Sequence, residues 1–173
     1  MSYLEKLKNI RAFVFDVDGV FTDGSVYLLP DKNMSRVMNV LDGYAVVKAI
    51  KAGYKIAVIT GGDDPMVRHR IDYLGIKDYY AKSAYKVSDY TDFKLKHQID
   101  DSKVLMMGDD IPDIGIMKQV AIAAAPANAV PEVKDIADYI SPIEGGKGAV
   151  RDVIEQVMKI QNRWNLEDDT KST

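Results

Sequence analysis

Ala12-Phe13-Val14-Phe15-Asp16-Val17-Asp18-Gly19-Val20 is the stretch that decides the fold. Four apolar residues run without alternation and end in two carboxylates spaced two apart, then a glycine. Such a run reads as a strand covered on both faces, the pattern of a parallel sheet. Working outward, two more runs repeat the design. Lys55-Ile56-Ala57-Val58-Ile59 precedes Thr60-Gly61-Gly62, and Val104-Leu105-Met106-Met107 precedes Gly108-Asp109-Asp110. Tyr79-Tyr80-Ala81, Val120-Ala121-Ile122-Ala123 and Tyr139-Ile140 are weaker strand candidates. Helical patterns lie between them: Tyr44 to Ala52, Pro65 to Leu74, Val87 to Ile99, Ile111 to Lys118, Pro131 to Ala137 and Gly148 to Trp164. Strand–helix alternation at this spacing predicts an α/β fold, a mainly parallel sheet between helices.

One segment breaks the alternation. Residues 24–29 and 34–40 read as the arms of a β-hairpin around the four-residue turn Pro30-Asp31-Lys32-Asn33. Its first arm is apolar at 26, 27, 28 and 29, so more than one face asks for cover. A lone hairpin is marginal in water. The cover comes either from its own domain or from another subunit, and the sequence leaves both open. The last stretch, about 165–173, is polar and is expected to fray.

The 173 residues suit one domain, 1–173. A net charge of −3 and a pI near 5.4 argue against nucleic acid as partner, which calls for a basic stripe. Hydrophobic residues at 47% argue against wholesale disorder. No cysteine is present, which removes thiolate chemistry and fits a reducing cytoplasm. Residues 1–11 lack the apolar core of a signal peptide, and no apolar run suits a membrane span.

Three strand ends carry the polar residues: Asp16 and Asp18; Thr60, Gly61 and Gly62; Gly108, Asp109, Asp110 and Asp113. In an open parallel sheet all three converge on the carboxyl rim, where ligands bind. Carboxylates crowded together repel unless a cation sits among them or one is protonated. Oxygen ligands without Cys or clustered His favour Mg²⁺, which is commonly held by one or two carboxylates with water and substrate phosphate. The pattern therefore points to a magnesium site that receives a phosphorylated substrate. An Asp can also attack phosphorus to give an aspartyl-phosphate. Asp18, two residues on in an extended segment, projects to the same side as Asp16 and can exchange protons with leaving group and water. Thr60 and the Gly61 amide offer neutral phosphate donors. Lys86, at a helix start, is the best placed cation, with Lys82 its competitor.

These residues also carry a resemblance. Asp16-Val17-Asp18-Gly19-Val20, Thr60, Lys86 and Gly108-Asp109-Asp110 with Asp113 resemble, in order and spacing, the four motifs of the haloacid dehalogenase superfamily. Phe21-Thr22-Asp23-Gly24, Asn39-Val40-Leu41-Asp42-Gly43-Tyr44 and Gly145-Gly146-Lys147-Gly148-Ala149-Val150-Arg151 extend it, over nearly the whole chain, to the 3-deoxy-D-manno-octulosonate 8-phosphate (KDO 8-phosphate) phosphatases. The resemblance implies a Rossmann-like core with the hairpin, about 24–40, in place of a cap domain. It implies Asp16 as nucleophile and Asp18 as acid/base. It implies Mg²⁺ on Asp16, the Asp18 carbonyl and Asp109, with Asp110 and Asp113 supporting. Thr60, Gly61 and Lys86 would hold the phosphoryl group. It further implies a homotetramer whose neighbouring subunits close each active site, a phosphorylated sugar acid as substrate, and a place in lipopolysaccharide precursor synthesis. One departure stands out: many members of that family carry Arg after the Thr-Gly pair, where this chain has Gly62. Arg68 is the candidate to compensate, and a nine-carbon keto-deoxy sugar acid 9-phosphate is the alternative substrate.

Plainer roles stand beside these. Asp109 and Asp110 suit helix capping, and Arg68, His69 and Arg70 suit a solvated helix face. His97 reads as a surface residue, Trp164 as packing, and Gly145, Gly146 and Gly148 as a turn. Lys147 and Arg151 are candidates for substrate or a neighbouring chain. Two non-catalytic alternatives are a receiver-like signalling module and a silent pathway partner. The two-residue Asp spacing of the first motif speaks against a receiver, whose acceptor Asp lies on a later strand.

Overall fold

In the computed structural model of the chain, residues 2–30 and 34–165 are described. The strands are β1 (Ala12–Phe15), β2 (Tyr27–Leu28), β3 (Met34–Ser35), β4 (Lys55–Ile59), β5 (Asp78–Tyr80), β6 (Val104–Met107), β7 (Ile122–Ala125) and β8 (Tyr139–Ile140). The helices are α1 (Tyr3–Asn9), α2 (Val40–Lys51), α3 (Pro65–Tyr73), α4 (Lys86–His97), α5 (Ile114–Met117), α6 (Pro131–Lys134) and α7 (Ala149–Ile160). Six strands form one parallel sheet in the order β5-β4-β1-β6-β7-β8.

β1 lies between β4 and β6, with Phe15 opposite Val58 on one side and Met107 on the other. The chain winds outward from β1 in one direction, then crosses to the other side of it. This is the topological switch point, where a parallel sheet opens a crevice beyond its strand ends. All four residues of β1, of β6 and of β7 are buried, which is why these runs lack alternation. Phe13 and Phe15 face one core with α1, α2, α3 and α7. Ala12 and Val14 face the other, with Tyr90 and Phe93 of α4, Ile116 of α5 and Val133 of α6.

Several elements differ from the sequence reading. α1 was not foreseen. Ser2 caps it by accepting from the Glu5 N–H while the Glu5 side chain accepts from the Ser2 N–H. β7 runs Ile122–Ala125, two residues beyond the expected strand, because Ala124 and Ala125 continue into a buried slot. The helix expected over 111–118 splits into a tight 3₁₀ turn, Ile111–Asp113, followed by α5. The hairpin ladder is two residues per arm, Tyr27 opposite Ser35 and Leu28 opposite Met34. Its turn at 31–33 and most of the expected polar tail, 166–173, lie outside the described residues. Val26, Tyr27, Leu28 and Leu29 are all exposed, so within one chain the hairpin does not bury its apolar arm.

Candidate active site

Strands β1, β4 and β6 deliver their terminal residues to one rim. Asp16 follows β1 directly and is buried to 7% exposure. After it the chain must turn sharply, and Gly19 does so at φ +83°. Glycine is needed there twice over: the backbone is left-handed, and a Cβ would collide with the Asp109 carboxylate. Gly108 is constrained in the same way by Asp113, whose Cβ would stand closer than van der Waals contact to any Cβ at 108. The two glycines thus let the loops after β1 and β6 close on each other.

The closure packs carboxylates. Oxygens of Asp16, Asp109 and Asp113 lie within 4.8 Å of one another. Asp113 has no exposure; its Oδ1 accepts from Lys86 Nζ at 2.8 Å and its Oδ2 from the Asp109 N–H at 3.0 Å. Lys86 Nζ also lies 3.0 Å from Asp16 Oδ1. One ammonium therefore faces three carboxylates. Burial first, then the charge of Asp113, pushes Asp16 up to about 7 despite Lys86. Burial first, then Asp16 and Asp113, pushes Asp109 up to about 7 as well. Asp109 Oδ1 is buried without a hydrogen-bond partner, and Asp16 Oδ1 meets only the Lys86 ammonium, which Asp113 shares. An all-oxygen set with an unpartnered carboxylate atom and too little positive charge fits a hard divalent cation, Mg²⁺.

Thr60 follows β4 and is buried at 3% exposure. Its Oγ1 accepts from the Gly62 N–H at 3.2 Å, which leaves its proton to be donated. Lys86 reaches the carboxylate cluster, whereas the competitor Lys82 is 74% exposed and pairs with Asp63 at 2.6 Å. Asp110 is exposed and caps the turn after β6, accepting from the Ile111 N–H. The turn Gly145-Gly146 braces the first loop. Asn128 donates to the Gly19 carbonyl at 3.0 Å and accepts from the Gly145 N–H at 2.6 Å; the Gly146 N–H donates to the Val20 carbonyl at 3.0 Å.

Arg68 stands over the Tyr79 ring at 4.8 Å and near Asp63 at 3.8 Å. Lys147 and Arg151 line a different cleft, about 300 Å³. The Arg151 guanidinium pairs with Glu155 and covers Tyr44 and Trp164, and its backbone N–H donates to the buried Asp42 carboxylate at 2.8 Å. His97, read as a partnerless surface residue, instead places Nε2 2.8 Å from Asp78 Oδ2 and is only 17% exposed, because the end of α4 packs over the start of β5. Trp164 packs edge-on against Tyr44, as expected.

Arg36 is the residue that the sequence reading missed. It forks onto both oxygens of Asp18, with Nε to Oδ1 at 2.6 Å and Nη2 to Oδ2 at 3.2 Å, and it lines a cleft of about 460 Å³ between hairpin and α3. Its position in the hairpin's return arm, one charge among small and apolar residues, was the available signal.

An aspartate pair at the switch point, facing a buried lysine and a second acidic loop, defines a phosphohydrolase of the haloacid dehalogenase type. The family model of haloacid dehalogenase-like hydrolases matches residues 36–121. The chain is 34% identical over 160 residues to the KDO 8-phosphate phosphatase of Escherichia coli K12, covering 92% of this chain and 85% of that one. The Yersinia pestis phosphatase of the same name superposes with a TM-score of 0.91 at 32% identity, over 92% and 86% of the two chains. The Moraxella catarrhalis enzyme, solved with magnesium ion, phosphate ion and KDO, superposes with a TM-score of 0.91 at 29% identity, over 96% of each chain. The chain belongs to the KDO 8-phosphate phosphatase family within that superfamily. It is a phosphatase, a phosphoric monoester hydrolase, which sets aside the receiver-like reading.

Proposed function

We propose that this enzyme hydrolyses KDO 8-phosphate to KDO and phosphate, as a step in lipopolysaccharide precursor synthesis in the cytoplasm. The observation that carries the proposal is the full-length likeness to a phosphatase solved with magnesium, phosphate and KDO together. Asp16 attacks phosphorus; its Oδ–P bond forms as the P–O bond to the sugar breaks. Asp18 gives its proton to the departing alkoxide. Water then attacks the aspartyl-phosphate, Asp18 takes a proton from it, and Asp16 is released with phosphate. Lys86, Thr60 and the Gly61 amide hold the phosphoryl oxygens in line, and positive charge there is what a phosphoryl transfer step most needs. Asp16, the Asp18 carbonyl and Asp109 would hold Mg²⁺, with Asp110 and Asp113 supporting; the ion supplies charge against the phosphoryl oxygens. Arg68 is a candidate for the sugar acid, and Lys147 and Arg151 for the sugar acid or a neighbouring chain.

The exposed apolar hairpin supports a homotetramer in which neighbouring subunits cover this arm and wall the active site. Among the described residues no helix is long and apolar enough to cross a membrane, and the acidic charge disfavours nucleic acid.

Phosphate release from a panel of sugar phosphates, with Mg²⁺ and with EDTA, tests the function. A Mg²⁺-dependent preference for KDO 8-phosphate is expected. Preference for a nine-carbon keto-deoxy sugar acid 9-phosphate would keep the chemistry and replace the substrate. No release from any of them would sink the proposal.

A further inference from the structure

Among the described residues the Arg36 side chain makes three hydrogen bonds, all to carboxylates. Two run in parallel to Asp18, and Nη1 donates to Asp64 Oδ2 at 3.0 Å. Asp64 is itself fixed, since its Oδ1 caps α3 by accepting from the Met66 and Val67 N–H groups at 2.8 and 3.4 Å. Only 10% of the Arg36 side chain is exposed, whereas Asp18 is 39% exposed. An exposed aspartate is free to turn about its side-chain torsions. A planar guanidinium that binds both of its oxygens removes that freedom, which a lysine's point charge cannot do.

We propose that Arg36 is a positioning residue for the reaction: it holds the Asp18 carboxyl toward the leaving oxygen and ties it, through Asp64, to the N-terminus of α3. The short Nε–Oδ1 bond at 2.6 Å keeps the group in place, while Oδ2, on the longer 3.2 Å arm, carries the proton given to the leaving oxygen and regained from water. This rests on the reading of Asp18 as acid/base. A different role, as receptor for the substrate's own carboxylate, suits the geometry less well. The guanidinium's three nitrogens are each committed to Asp18 or Asp64. Around it, among the described residues, Arg36, Arg68 and Lys82 face Asp18, Asp63 and Asp64, three cations against three carboxylates, so an incoming anion meets no surplus positive charge. Gly62 fits the same picture. A Cβ there would stand 3.9 Å from Arg36 Nη2 and 3.9 Å from Asp18 Oδ2, so a longer side chain at 62 would have to share that space with the fork.

The test uses two leaving groups. An alkoxide, as in KDO 8-phosphate, needs the Asp18 proton to depart; p-nitrophenolate departs without one. The ratio kcat/KM reports formation of the aspartyl-phosphate. Arg36→Met should lower it about 100-fold on KDO 8-phosphate, the scale of a misplaced catalytic group, and the loss should exceed that on p-nitrophenyl phosphate by about tenfold or more. Arg36→Lys should restore little, and millimolar guanidinium should restore Arg36→Ala on the alkyl substrate. Equal losses on both substrates would mean a structural role and overturn the proposal. A rise in KM for the sugar acid alone, with kcat kept, would make Arg36 a substrate contact and overturn it too. Asp18→Asn runs beside them. If it shows the leaving-group dependence and Arg36→Met does not, the positioning role alone falls. If Asp18→Asn lowers both substrates alike, the acid/base reading falls with it.

Discussion

Gly145 packs directly against the carbonyl of Gly19, so closely that a Cβ on Gly145 would fall inside that carbonyl group. The obstacle is backbone, not a side chain that can swing away. A substitution at 145 therefore moves the loop that carries Asp16 and Asp18.

Gly145→Ala should lower stability by about 1–3 kcal/mol through forced overlap. It should also lower kcat, although residue 145 lies about 130 positions from Asp16 along the chain. Gly19→Ala adds the left-handed φ to a collision with Asp109 and should cost at least as much. Because both act on one loop, the double variant should lose less than the sum of the singles. Thermal melts and phosphate release measure it; strict additivity would place the two strains in separate units.

Asp16→Asn separates chemistry from stability. The amide cannot attack phosphorus, so hydrolysis should fall on the order of 10⁴-fold or more, as when other enzymes lose a nucleophile. Yet Asp16 is buried beside Asp113 with its carboxyl pushed up to about 7. Removing that charge relieves repulsion, so the metal-free variant should melt at or above the parent at pH 8. A large drop in melting temperature would mean that the Lys86–Asp16 pair dominates instead.

Proton and cation should compete for the cluster. Burial, then repulsion from the neighbouring carboxylates, pushes Asp16 and Asp109 up to about 7, above the ordinary carboxylate value of about 3.9. A raised acid stabilises the fold while protonated. Its contribution is complete below the unfolded value and is lost as pH rises through the folded one. The EDTA-treated protein should therefore weaken between about pH 4 and pH 8, most steeply midway between the unfolded and folded values and levelling off above about 7. Saturating Mg²⁺ should raise the melting temperature more at pH 8 than at pH 6. A shift independent of pH would show that the ion binds elsewhere.

The parts of the fold that could be read in advance are those with purely local causes. β1, β4 and β6 matched to the residue, because burial on both faces leaves unbroken apolar runs with polar stops. The four motif positions met at one rim because the parallel sheet puts strand ends together. α1 was missed although its Ser2–Glu5 capping box is a local signal, since a seven-residue helix shows too little periodicity. Arg36 is another matter. Its role depends on the hairpin folding back over β1's loop, 18 residues away from Asp18, and no spacing rule encodes that approach. Likewise His97 finds Asp78 only because α4 returns across β5.

The hairpin yields the last prediction. Leu28 is 79% exposed and Tyr27 60% exposed, on a two-residue ladder that a single chain leaves unsupported. Covering one such leucine is worth about 2 kcal/mol, repeated at every subunit contact. Light scattering should therefore find the parent as an oligomer, four subunits being the assembly that the family resemblance implies. Leu28→Glu places a charge where a neighbour's apolar surface would sit, and should shift the protein to monomers. The side chain touches little of its own chain, so circular dichroism should stay unchanged. Because Arg36 rides on the same hairpin, the monomer should also lose activity, and more on KDO 8-phosphate than on p-nitrophenyl phosphate. A Leu28→Glu monomer with full activity on the sugar phosphate would refute the shared site while leaving the chemistry at Asp16 intact.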